Sequence, residues 1–201
     1  RNLMHFLSLE NSFNSSVFKI VSNNTAKSLT ISNVQAYFKN SNDVMFENIV
    51  KAEGLQLADF NQCIFQARNP IYNESHETGF GYSMGCNINS CYIYTPDDGV
   101  GLKLNNKGEY GCEGWQIKGG EWLCGTSIQV IDNLSRNYTP PLLMVVGTHM
   151  NSIRFCNIEN MSRVVFSACD LQAKLVVNNP YSGLFEINGV QGFNVSGGTT
   201  I

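Results

Sequence analysis

Residues 95–106 read TPDDGVGLKLNN, and the second half of that stretch decides the fold. Val100, Leu102 and Leu104 fall at every second position, the pattern of a half-buried strand. Asp97-Asp98-Gly99 in front of them is turn chemistry. The same short alternating unit, usually behind a small residue, recurs along the chain. It appears as SLTI at 28–31, GLQL at 54–57, GFGY at 79–82, SIQV at 127–130, KLVV at 174–177 and GLFEI at 183–187. The first five starts, at 28, 54, 79, 101 and 127, are 26, 25, 22 and 26 residues apart. LLMVV at 142–146 fills the longer step from 127 to 174. Short strands at a period of about 24 residues are a repeat signature.

Second strands lie between these units: VMFENI at 44–49, CYIY at 91–94, GWQIKG at 114–119 and IRFCNI at 153–158. A β-sandwich would space its strands by about 8–12 residues and close them with tight hairpin signals. Asn188-Gly189 is the one Asn-Gly dipeptide in the chain. The pattern therefore predicts an all-β, right-handed parallel β-helix, a solenoid of rungs of about 24 residues with at least two strands each. Leu55, Leu57, Leu102, Leu104, Ile128, Val130 and Val176 are its expected core. Cys63 with Cys86, and Cys91 with Cys112, are expected to stack one rung apart. A single domain is expected over 1–201, cut from a longer chain. Residues 1–27 form an entering rung or an insertion, and 69–78 and 132–141 form loops.

Only 14% of the residues are charged, against about 25% in a typical soluble protein. The 25 asparagines must then wet much of the surface, and they suit turns, where they tolerate left-handed backbone. A net charge of −3 and the lack of a Lys/Arg cluster argue against a nucleic-acid partner. No apolar run approaches the roughly 20 residues of a membrane span, so no membrane partner is expected. The seven cysteines form no CxxC and no zinc spacing, which points to buried free thiols and folding in a reducing compartment. No metal site and no cofactor are expected.

Residues 90–104, SCYIYTPDDGVGLKL, resemble the polygalacturonase-like glycoside hydrolases. In that family a strand is followed by two residues, Gly-Asp-Asp and an alternating strand. Pro96 stands here for the glycine, and Gly119-Gly120-Glu121 stands where the family carries Gly-His-Gly. The resemblance implies that Asp97 and Asp98 protonate the leaving oxygen and activate water. The composition and rung pattern are also similar to bacteriophage tailspikes, long trimeric β-helices that bind and cleave bacterial surface polysaccharides. That likeness implies a homotrimer in the virion tail, folded in the host cytoplasm, with a capsule, O-antigen or exopolysaccharide as partner.

Cleavage of a glycosidic bond needs two carboxyl groups about 5–10 Å apart, one of them held protonated. Glu121 and Glu77 lie about one rung from Asp97 and Asp98 and complete the candidate catalytic set. Sugar rings stack on aromatic faces, so Trp122, Tyr94 and Tyr110, with Glu113 beside them, are candidate glycan contacts. His149 enters no constellation. Two other readings stay open: a non-catalytic, receptor-binding trimeric segment of a phage tail protein, and a monomeric, secreted bacterial pectin-type hydrolase or lyase.

Overall fold

A computed structural model describes residues 16–20, 28–37, 45–75, 83–107, 111–132, 142–154, 156–159, 161, 163–172, 174–178, 184–188 and 194–195, with the side chains of 83, 84, 113 and those from 173 onward excepted. All pairings between its strands are parallel. Sheets of eight, seven and six strands, joined by a two-stranded pair, run along a β-solenoid. Each central rung contributes one strand to each large sheet. Val100–Asn106 lies in the eight-stranded sheet, Trp115–Lys118 in the seven-stranded and Glu121–Cys124 in the six-stranded.

The rung is about 28 residues rather than 24. Phe60, Ile88, Ile117 and Val145 are successive register partners at steps of 28, 29 and 28, and the step to Phe166 is 21. The shorter expected period came from mixing sheets. SLTI and LLMVV run into the seven-stranded sheet, whereas GLKL and SIQV belong to the eight-stranded one.

Inward residues stack in columns. Ile71, Leu102, Ile128 and Cys156 form one in the eight-stranded sheet, and Phe65, Ile93, Trp122 and Met150 form one in the six-stranded sheet. Each of these side chains is at most 1% exposed. At about 25 cal/mol per Å² of apolar area removed from water, such columns dominate the stability. Leu55, Leu104 and Val130 are buried as expected. Leu57 is not: it is 61% exposed, in a turn at φ 51°. Val176 pairs with Asn157 and falls in the register column of Gln129, not in that of Ile128.

Two-residue corners join the seven- and six-stranded sheets, and they bend through left-handed backbone at Asn33, Gln62, Ser90, Gly119, Gly147 and Ala168. The amide of each of the first five donates to the next rung, as Ser90 N–H does to Lys118 O at 2.8 Å. That repeated bond fixes the register of the whole stack. Asparagine ladders do form, but mainly on strand faces rather than at turns. Asn89 Nδ2 donates to Asn61 Oδ1 at 2.8 Å, and Asn87 Nδ2 to Asp59 Oδ1 at 2.9 Å.

All seven cysteines are free and buried. Their stacking differs from expectation. Cys63 lies against Cys91, because Ile64 pairs with Tyr92, and Gly120 rather than Cys112 follows above Cys91. Within the expected loop at 69–78, Ile71–Glu74 is a strand of the eight-stranded sheet. Residues 133–141 of the other expected loop lie outside the described residues. Ser16–Ile20, inside the expected entering rung, pairs with Asn48–Glu53.

Candidate functional site

Asp97 and Asp98 sit in a turn closed by the bond from Gly99 N–H to Pro96 O, 2.9 Å. The rungs above and below hold this turn tightly. A Cβ on Gly99 would meet Arg68 O at 2.4 Å, and one on Gly125 would meet Asp97 O at 2.2 Å. Both aspartates are exposed. Asp98 pairs with Arg68 of the rung beneath, whose Nε lies 3.4 Å from Glu47 Oε2. The Arg68 pair and the close packing at Gly99 and Gly125 give this corner a structural role.

Glu121 stands at the start of its strand beside Tyr92, whereas Asp97 and Asp98 follow the far end of Tyr92–Tyr94. The register thus sets Glu121 and the two aspartates toward opposite ends of neighbouring strands. Glu77 and Tyr110 lie outside the described residues. Glu113 contributes backbone to a short strand beside Met84. Trp122 is fully buried between Ile93 and Met150 and cannot meet a glycan. Its 29-residue step from Ile93, and Cys124 two residues on, were the signals that it faces inward.

Tyr94 does face outward, on a flat face of the six-stranded sheet. One register column there reads Ile64, Tyr92, Glu121, His149 and Asp170. His149 Nδ1 lies 2.8 Å from Asp170 Oδ2, so the sequence reading missed a real pairing. The 28-residue step from Glu121 places His149 in this column, but the 21-residue step on to Asp170 departs from the period. Burial, then the charge of Glu121, pushes the Tyr92 phenol up.

A second constellation, also missed, lies on the outward face of the eight-stranded sheet. Lys19, Lys51, Tyr72 and Lys103 are successive register partners. The ammonium groups of Lys51 and Lys103 each lie 5.5 Å from the centre of the Tyr72 ring, one from either side along the stack. Such contacts contribute about 0.5–1 kcal/mol at exposed sites and fix where the charges stand. Among the described residues neither lysine is in an ion pair. Tyr72 donates from its hydroxyl to Glu74, which also pairs with Lys107. Burial, followed by the bond to Glu74, pushes the Tyr72 phenol up to about 12. Burial raises the Glu74 carboxyl, but Lys107 and Tyr72 outweigh it and hold the group below its usual range. The result is an aromatic ring framed by two fixed cations, with the neighbouring acid already neutralised. No protein-family model, curated protein or solved structure matches this chain.

Proposed function

We propose that this chain is part of a tailspike-like β-solenoid that binds a bacterial surface polysaccharide, and an acidic one, along the outward face of the eight-stranded sheet. The observation that carries the reading is the Tyr72 ring held between Lys51 and Lys103. The two ammonium groups, one on either side of the ring, stand two rungs apart, about 9.6 Å at the backbone. They match carboxylates or phosphates spaced along a polymer. Homotrimeric assembly in a virion tail belongs to the same proposal.

Cleavage is the second reading. It is favoured by Glu121 and Asp170, two rungs apart on the six-stranded face with His149 between them. That spacing, about 9.6 Å at the backbone, approaches the 6.5–9.5 Å of inverting glycosidases. It places cleavage on a different face from the lysines.

The test uses acidic and neutral capsule preparations from a panel of hosts. Titration calorimetry at two salt concentrations should show binding of an acidic polymer that weakens with salt and falls at least tenfold in Lys51→Gln/Lys103→Gln. Unchanged affinity in that variant overturns the binding site. New reducing ends or 235 nm absorbance, lost in Glu121→Gln, would establish cleavage.

A further inference from the structure

Cys63 and Cys91 are register partners on adjacent rungs, each just after a left-handed corner residue, Gln62 and Ser90. Parallel neighbours stand about 4.8 Å apart at Cα, inside the 4.4–6.8 Å range of disulfides. The Cys63 amide donates to Cys91 Sγ at 3.4 Å. Each thiol also reaches the rung below, Cys63 Sγ to Ile31 O at 3.5 Å and Cys91 Sγ to Phe60 O at 3.4 Å. Above Cys91 the column continues with Gly120, which carries no side chain and lets the two rungs approach closely: a Cβ there would lie 2.2 Å from Cys91 O. Among the described residues no other two cysteines are register partners.

We infer that Cys63 and Cys91 are an oxidisable pair that forms a disulfide between two rungs of the solenoid. The oxidant is a small peroxide, able to reach a corner where both thiols are buried. The Cys63 thiolate takes one oxygen from hydrogen peroxide, giving a sulfenic acid and releasing hydroxide. The Cys91 thiol then attacks that sulfur, the S–S bond forms and water leaves, so two thiols and one peroxide give one disulfide and two waters. A dithiol reductant reverses it. The neighbouring Cys91 side chain, with an effect larger than the opposing one of burial, brings the Cys63 thiol below its ordinary value, which favours its thiolate form. The closed loop ties consecutive rungs, so a chain that folded with free thiols gains a staple after reaching oxidising surroundings.

The experiment treats the intact, folded chain with hydrogen peroxide, alkylates the remaining thiols and maps the peptides by mass spectrometry. The expected product is a Cys63–Cys91 linked peptide, two hydrogens lighter than its parts, that dithiothreitol releases. Oxidised protein should also melt higher, by roughly 5 °C. Cys63→Ala and Cys91→Ala, checked for native circular dichroism, should each abolish the link and the shift. Recovery of both residues as alkylated thiols, linkage to other cysteines, or loss of two thiols at the original rate in Cys63→Ala overturns the inference.

Discussion

Arg68 and Asp98 are 30 residues apart in sequence and meet across one rung of the solenoid. Their pairing gives the Asp-Asp turn a structural reason that no substrate has to supply. Both side chains are about half exposed, 47% and 51%, so water screens the pair and its worth is about 0–1 kcal/mol. Asp98→Asn should lower unfolding free energy by less than about 1 kcal/mol, an effect that shrinks with added salt. Asp97→Asn should leave urea unfolding unchanged. A larger loss in Asp97→Asn would mean that its carboxylate, and not only its backbone, holds the corner.

Leu102 and Leu57 occupy similar tetrads and opposite environments, one fully buried and one 61% exposed. Leu102→Ala should cost about 2–5 kcal/mol, the range for a large-to-small change in a packed core. Leu57 sits at φ 51°, where glycine escapes a cost of about 1–2 kcal/mol. Leu57→Gly should therefore be neutral or mildly stabilising. Parallel losses in the two variants, read by urea denaturation, would place Leu57 in the core after all.

Two corner glycines should respond differently to an added methyl. At Gly120 a Cβ would lie 2.2 Å from Cys91 O, and the backbone is at φ 90°. At Gly147 nothing lies within 4 Å, and φ is 60°. Gly147→Ala should cost only the left-handed penalty, about 1–2 kcal/mol. Gly120→Ala must also push two rungs apart and should cost distinctly more or prevent folding. Equal thermal midpoints would contradict the close approach of those rungs.

Alkaline stability should report on Tyr72. Its folded-state pKa, about 12, lies above the unfolded value near 10, so the native state binds the extra proton in that window. The contribution is complete below pH 10 and is lost as pH rises toward 12. Tyr72→Phe should flatten the fall in stability between pH 10 and 12. At the acid end Glu74, held low, contributes stability above its unfolded pKa that disappears as pH falls through the folded one. A Tyr72→Phe profile identical to the parent's from pH 9 to 12 would contradict the bond to Glu74.

The solenoid itself was legible in the sequence because its cause is local and repeated. Alternation at Val100–Leu104 and Ser127–Val130 needs only a strand with one buried side, and recurrence needs only that each rung meet its neighbour. Burial of all seven cysteines followed from composition. The rung length was misread because a strand's alternation does not say which of three sheets it joins. Only pairing across rungs, such as Phe60 with Ile88, measures the repeat. The same ignorance of register sent Trp122 to the surface and Leu57 to the core. It also hid Lys51, Tyr72 and Lys103, which are 21 and 31 residues apart, at unequal steps that no fixed period predicts. Asp98 finding Arg68, and His149 finding Asp170, depend on where corners of different length bring each strand back. Composition and alternation determined that this chain coils into stacked parallel strands. Which side chains share a face was decided by tertiary structure alone, because neighbours there are set by rung-to-rung hydrogen bonds and not by distance along the chain.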